Sequence, residues 1–224
     1  MNKHFIDLDC YKRSDLRNIL DLAKDIKDQP KKFSKNLKHK SLGILFEKQS
    51  TRTRVSFDIG MKMMGGNVIE LNSNSIGFGS RESDSDLIQV LSQYLDCLLI
   101  RNDDHKKIVS LSKYDHLPII NGLSNYSHPC QILSDIFTIE EKKDSISNLL
   151  IAWCGDINNV LISLIHASII FNFNLHIASP ETILYQNKEV LDQYKSSQIN
   201  FFDNPYEAVV KADCIMSDAW ISMG

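Results

Sequence analysis

The sequence lacks the cysteine pattern of a secreted or zinc-binding protein. Its five cysteines are an odd number, lie far apart and include no C-x-x-C pair. Disulfides and zinc sites both need cysteines in matched sets, so this spacing is typical of reduced thiols. The sequence therefore predicts a cytoplasmic protein without a metal site.

Long apolar runs are also missing. The longest apolar stretch covers residues 160–171 and is interrupted by Ser163, His166 and Ser168. A membrane-spanning helix needs roughly 20 apolar residues, so this stretch instead suits a buried helix. The first five residues lack the basic-then-apolar profile of a secretory signal. We expect neither a membrane association nor export.

The chain has no basic face of the kind that binds nucleic acid. Its net charge is -3, its pI is near 6.2, and its 224 residues are enough for one large core or two small ones. Five lysines are spread through one polar connection that we interpret as a solvated loop: Lys31, Lys32, Lys35, Lys38 and Lys40. We therefore expect no nucleic-acid partner.

Short apolar runs alternate with amphipathic segments along the whole chain. Strands are predicted at 42–46, 67–71, 97–100, 118–121, 149–153, 175–178, 199–202 and 214–217. Helices are predicted after a Ser14 N-cap and at 51–64, 84–94, 106–112, 129–141, 160–171, 181–194 and 205–211. Such alternation indicates parallel sheets covered by helices. The predicted fold class is α/β, with two doubly wound domains at 1–141 and 148–224.

A hydroxyl-rich segment follows the first predicted strand. Residues 46–57 read F-E-K-Q-S-T-R-T-R-V-S-F, and Ser50, Thr51, Arg52 and Thr53 stand where the strand passes into a helix. Free backbone N–H groups and the helix dipole favour an anion there, and a guanidinium suits phosphate. The glycine-rich nucleotide loops G-x-x-x-x-G-K-[ST] and G-x-G-x-x-G do not occur. The segment indicates a small phosphate-bearing substrate, or otherwise a capped helix start with surface arginines.

Two further strand ends carry polar groups that suit a ligand. Arg101 lies at the carboxyl end of a buried strand, which is where open α/β sheets bind ligands. A salt bridge at a strand end is an equal alternative. His128 and Gln131, in H-P-C-Q, begin a helix and can bond a small planar group such as a carboxamide. A lone histidine beside a helix start is more often structural.

The second half offers weaker signals of the same kind. The turn G-D-I-N-N at 155–159, which ends in Asn159, is compatible with plain turn chemistry. Asp218 and Ser222 lie after the last predicted strand, where a carboxylate can pair with an ammonium group or remain solvated.

Taken in order, these motifs resemble the ornithine carbamoyltransferase family. The shared elements are F-E-K-x-S-T-R-T-R-x-S-F, an arginine at a strand end, H-P-C-Q, G-D-x-N-N-V and D-x-W-x-S-M-G, and the match runs from near His4 to Gly224. The resemblance implies a carbamoyl phosphate domain followed by an ornithine domain, a homotrimer, and no cofactor.

The resemblance also implies a role for each motif residue. Phosphate would be held by Ser50, Thr51, Arg52 and Thr53, and the carbamoyl group by Arg101, His128 and Gln131. Arg52, Arg101 and His128 would act in catalysis. L-Ornithine would be bound by Asn159, Asp218, Ser222 and Met223. The S-M-G loop favours ornithine over aspartate, while putrescine and acetylornithine are more distant alternatives.

The sequence departs from the family pattern at several places. Family members continue past S-M-G with an H-C-L-P segment and a terminal helix, so we expect an incomplete second domain and weak or no activity. The alternative to an active enzyme is a remnant that binds carbamoyl phosphate only. Ile157 replaces a turn glycine, Ser75 replaces a glutamine, and Arg81 stands where a basic residue often reaches a neighbouring subunit.

Overall fold

Two parallel sheets organise the chain. The computed structural model describes residues 3–48, 50–72 and 82–218. The chain divides into two compact units, Met1–Asn125 and Tyr126–Gly224, and each contains one four-stranded sheet. Every pairing between the named strands is parallel. The predicted fold class is therefore confirmed.

The first unit has the strand order β2-β1-β3-β4. Its strands are β1 (Ser41–Phe46), β2 (Asn67–Asn72), β3 (Cys97–Arg101) and β4 (Ile119–Leu123). Its helices are α1 (Arg13–Asp28), α2 (Pro30–Phe33), α3 (Thr51–Met63), α4 (Asp84–Leu91) and α5 (His105–Ser112).

Apolar side chains cover both faces of this sheet. Leu98 and Ile100 of β3 point to one face and pack in a cluster with residues of α4 and α5. Leu99, between them, points to the other face, where Phe57 and Met61 of α3 pack against its cluster. Successive residues of a strand face opposite sides, so a strand buried on both faces reads as one continuous apolar run. This explains why Cys97–Arg101 begins with uninterrupted apolar residues.

The second unit has the strand order β7-β6-β5-β8. Its strands are β5 (Leu150–Cys154), β6 (Asn174–Ala178), β7 (Ile199–Phe202) and β8 (Cys214–Met216). Its helices are α6 (Pro129–Lys143), α7 (Asn159–Phe171), α8 (Glu181–Gln186), α9 (Lys188–Asp192) and α10 (Pro205–Ala208). Helix α6 packs against α7. Among the described residues, no helix is both long enough and apolar enough to cross a membrane.

The predicted N-cap of α1 was wrong. The amides of Asp15 and Leu16 both donate to the carbonyl of Lys12, so Lys12 is the N-cap and Ser14 lies inside the first turn. The five lysines of the connection after α1 are exposed as predicted, but the segment is not purely a loop. It contains the short helix α2, which is fixed by burial of Phe33.

The single helix predicted at 181–194 is two helices in the structure. Helix α8 ends at Gln186 and α9 begins at Lys188, with Asn187 as the cap between them. The Asn187 side-chain amide donates to the carbonyl of Ile183 at 2.9 Å. Asparagine side chains compete with backbone groups for such bonds, which interrupts the helical pattern. The other predicted elements agree with the structure to within three residues at each end.

The core of the first unit yields a stability prediction. Leu99 is fully buried in β3, and we expect Leu99→Ala to lower the free energy of unfolding by about 2–5 kcal/mol through the cavity it leaves. Leu22 on α1 is 51% exposed, so Leu22→Ala should change it by less than about 0.5 kcal/mol. Urea unfolding followed by circular dichroism measures both, and equal shifts would contradict the burial argument.

Candidate active site

The N-terminus of α3 lies at the carboxyl end of β1. Ser50 is the N-cap residue and has an extended backbone, but its side chain makes no capping hydrogen bond to the helix. The N–H groups of the first helical turn have no acceptor within the helix itself. These N–H groups suit an anion, which is compatible with the phosphate site that the sequence predicts.

The hydroxyl of Ser50 is bonded to Arg101 instead of capping the helix. Parallel pairing places Phe46, the last residue of β1, opposite Arg101, the last residue of β3. The Nη1 atom of Arg101 donates to the Ser50 Oγ at 2.7 Å. The structure thus brings together two predicted site residues that are far apart in sequence.

Arg101 is a buried cation. It is 8% exposed, and burial lowers the pKa of its guanidinium, an effect that the nearby Asp103 carboxylate opposes. Arginine still remains protonated in proteins. Its Nε atom is buried, and no hydrogen-bond acceptor among the described residues reaches it. A bound anion would satisfy this donor, which supports a ligand role over the alternative of a simple salt bridge.

The remaining residues of the hydroxyl-rich segment differ in their surroundings. Thr51 and Arg52 are exposed, and Thr53 is half-buried. Arg54, the next arginine along, pairs with Glu70 of β2 at 3.3 Å. No ion pair involves Arg52 within the described part of the chain, so of these two arginines it is the one available to a ligand.

A polar pair beside Arg101 was missed from the sequence. The Asn102 side-chain amide donates to the Glu47 carboxylate at 2.6 Å, and the Glu47 backbone N–H donates to the Arg101 carbonyl at 3.1 Å. Partial burial raises the pKa of Glu47, and the charge of Asp103 raises it further. These bonds join the segments that follow β1 and β3. The available signal was that both residues directly follow strands predicted to be buried.

His128 and Gln131 lie on the second unit, at the start of α6. His128 is the N-cap of α6, and its backbone N–H donates to the Ser163 Oγ on α7 at 2.8 Å. Gln131 is exposed, and its side-chain N–H donates to the Asp135 carboxylate at 2.9 Å. That bond fixes the orientation of the amide, so the Gln131 carbonyl oxygen points away from Asp135 and can accept a ligand N–H.

The turn after β5 meets the segment after β8. Strands β5 and β8 are neighbours, so their carboxyl ends share one edge of the sheet. The Asn158 side-chain oxygen caps α7 by accepting from the N–H groups of Val160 and Leu161, each at 3.1 Å. The Asn158 side-chain nitrogen donates to the Asp218 carboxylate at 2.8 Å. Asn158 belongs to the turn predicted at 155–159 but was given no ligand role from the sequence, and Asn159 is the first residue of α7.

The isoleucine in this turn does not conflict with its backbone. Six described residues other than glycine have a positive φ, and Ile157 is not among them. Only a positive φ would make glycine strongly preferable at this position. Ile157 is therefore compatible with the turn.

Four of the sequence predictions fall outside the described residues. They are Ser222 and Met223 of the S-M-G motif, together with Ser75 and Arg81.

Two family models match the chain in succession. The carbamoyl-P binding domain of aspartate/ornithine carbamoyltransferase matches residues 3–141, and the Asp/Orn binding domain of the same family matches residues 147–224. This chain belongs to the aspartate/ornithine carbamoyltransferase family. The ornithine carbamoyltransferase of Mesorhizobium japonicum is 41% identical over 99% of this chain and 74% of its own length. The one from Methanocaldococcus jannaschii is 38% identical over the same shares.

Solved carbamoyltransferase structures resemble the fold closely. The ornithine carbamoyltransferase of Burkholderia thailandensis superposes with a TM-score of 0.89 at 32% identity, covering 98% of this chain and 76% of that one. The enzyme from Pyrococcus furiosus gives 0.86 at 36% identity, covering 98% and 72%. The family matches meet between residues 141 and 147, whereas the compact units divide after Asn125, because α6 packs with the second unit.

The Gln131–Asp135 contact yields a pH prediction. Burial raises the pKa of the Asp135 carboxyl group, although the bond from Gln131 opposes this. The Asp135 carboxylate, which orients Gln131, therefore becomes protonated at a higher pH than an ordinary aspartate, whose pKa is about 3.9. We expect carbamoyl phosphate binding, measured by calorimetry from pH 7 to 5, to weaken as the pH falls.

The variant Asp135→Asn should bind about 2- to 10-fold more weakly at pH 7, the value of one ordinary hydrogen bond, and its binding should depend less on pH than that of the wild type. Asp144→Asn, at the exposed end of the same helix, serves as the control. Identical pH profiles for the wild type and Asp135→Asn would contradict the assignment.

Proposed function

We propose that this chain transfers the carbamoyl group of carbamoyl phosphate to the δ-amine of L-ornithine, giving citrulline and phosphate. The observation that carries the proposal is the buried Arg101 guanidinium bonded to Ser50 beside an uncapped helix start. A buried cation with a donor that meets no acceptor among the described residues, next to the N–H groups of a helix start, suits a phosphate group. The proposal draws further support from relatives named ornithine carbamoyltransferase at about 40% identity.

The phosphate is proposed to bind at the start of α3. Its ligands would be the hydroxyl and backbone groups of Ser50, Thr51 and Thr53, with the guanidinium of Arg52. Charge-assisted hydrogen bonds of this kind are the strong ones, and they strengthen further as charge develops on the leaving phosphate. Such binding stabilises the transition state more than the ground state, which is what accelerates a reaction.

The carbamoyl group is proposed to be held by Arg101, His128 and Gln131. Arg101 and His128 would donate to the carbonyl oxygen, where negative charge develops when the amine attacks. The Gln131 oxygen, oriented by Asp135, would accept from the carbamoyl amide. The amine nitrogen forms a bond to the carbamoyl carbon, the bond from that carbon to the phosphate oxygen breaks, and the proton that the amine loses passes to the leaving phosphate.

Ornithine is proposed to bind at the edge of the second sheet, through Asn159, Asp218, Ser222 and Met223. The Asp218 carboxylate suits an ammonium group, and its bond from Asn158 fixes its orientation. The δ-amine must be neutral to attack, although free amines of this type have a pKa of about 10. Holding two substrates in line supplies much of the remaining acceleration.

The wider expectations are also proposals. We propose a carbamoyl phosphate-binding domain at 1–141 and an ornithine-binding domain at 148–224. We propose further a homotrimer that needs no cofactor and acts in arginine biosynthesis in the cytoplasm. The reduced-thiol pattern of the five cysteines, none of which forms a disulfide in the described part of the chain, supports the cytoplasmic location.

The proposal is tested by supplying the purified chain with carbamoyl phosphate and one amine at a time. We expect weak citrulline formation from ornithine, in line with the departures from the family pattern, and a kcat/KM at least about 100-fold lower with aspartate, putrescine or acetylornithine. A higher kcat/KM with another amine would identify that amine, and not ornithine, as the acceptor. Carbamoyl phosphate binding without any product would instead favour a binding-only protein.

Two neighbouring arginines provide a matched test of the phosphate site. Arg52→Gln removes a charged donor to the phosphate, so carbamoyl phosphate affinity should fall roughly 10- to 100-fold. Arg54→Gln removes a surface ion pair with Glu70, so its affinity should stay within about 3-fold of the wild type. Calorimetric titration measures both, and a larger loss for Arg54→Gln would reverse the assignment.

A further inference from the structure

A serine is buried in the most apolar helix of the second unit. Ser163 lies on α7 between Ile162 and Leu164, and it is fully inaccessible to solvent. Burying a hydroxyl in such surroundings costs free energy unless the hydroxyl is hydrogen-bonded. The hydrogen-bond partner of Ser163 therefore indicates why this position is polar.

The partner of Ser163 is the backbone that carries His128. The Ser163 Oγ accepts the N–H of His128 at 2.8 Å. As the N-cap of α6, His128 has φ -136° and ψ 66°, outside the helical range. The N–H of an N-cap residue lies outside the helix ladder, so this bond fixes the peptide plane that leads into His128.

A second contact fastens the same segment to α7. The hydroxyls of Tyr126 and Tyr194 lie 3.0 Å apart, and the Tyr194 hydroxyl lies 3.1 Å from the His166 Nε2. His166 follows Ser163 by three residues, so the two side chains lie on one face of α7. His128 is therefore bonded directly to α7 through Ser163, and Tyr126 is linked to the same face of α7 through Tyr194.

We infer that Ser163 is a positioning residue for His128: it fixes the backbone from which the imidazole projects toward the carbamoyl group. The inference rests on the proposed role of His128. The direction of a side chain follows from the φ and ψ of its residue, so loss of the Ser163 bond frees the imidazole to shift. A displacement of about 1 Å in a reacting group can lower a rate on the order of 100-fold.

The same helix offers a matched control. Ser168 is also fully buried on α7, but its hydroxyl donates to the carbonyl of Ile165 at 2.9 Å, within its own helix. Ser163→Ala and Ser168→Ala thus remove the same atom from the same helix. Only the first change removes a bond to the segment that carries His128.

Steady-state kinetics on the full chain separate positioning from stability. We expect Ser163→Ala to lower kcat/KM for carbamoyl phosphate about 10- to 100-fold, with the KM for ornithine within about 3-fold of the wild type. Ser168→Ala should leave both values within about 3-fold. Equal kinetic losses in the two variants, or a fall in thermal stability without a kinetic change, would overturn the inference.

A measurement without turnover keeps this inference separate from the proposed function. Amide hydrogen exchange of His128, followed by NMR, should be at least about 10-fold faster in Ser163→Ala than in the wild type, and unchanged in Ser168→Ala. Wild-type protein that forms no citrulline would refute the proposed function. The exchange rates would still show whether the Ser163 hydrogen bond fixes the backbone of His128. Unchanged exchange in Ser163→Ala would refute the positioning role.

Discussion

The parallel register of β1 and β3 is the constraint on which the first half of the site depends. It sets Phe46 opposite Arg101, so the two segments that leave these strands start side by side at one edge of the sheet. Ser50 can then meet Arg101, and Asn102 can meet Glu47, although roughly fifty residues separate the partners. Ligand groups in open α/β folds collect at this edge because every strand delivers its following residues there.

The second unit applies the same rule with different chemistry. The neighbours β5 and β8 deliver a turn and a terminal segment to one edge, where Asn158 joins them through Asp218. One amide group uses its oxygen to cap α7 and its nitrogen to hold a carboxylate. Asn158 therefore caps a helix and also orients the Asp218 carboxylate. A change at this one residue would affect both the local fold and the geometry of the proposed ornithine site.

Local sequence patterns predicted most helices and strands, but they could not predict contacts between residues that are far apart in the sequence. The apolar run ending at Arg101 predicted a buried strand, because a strand buried on both faces consists of consecutive apolar residues. The role of Ser163 could not be predicted in this way, because a single serine within an apolar helix has no evident function until its hydrogen-bond partner is known. The break at Asn187 was also missed, because it depends on which carbonyl the side-chain amide reaches.

The buried guanidinium of Arg101 has a consequence for how this protein can evolve. A buried cation whose Nε meets no acceptor among the described residues, beside a helix whose N-cap hydroxyl bonds to Arg101 instead of the helix, is a local conflict between ligand binding and stability. Selection for thermal stability alone would replace Arg101 with an apolar residue and let Ser50 return to capping. Thermostable variants selected without a functional screen should therefore accumulate changes at this strand end.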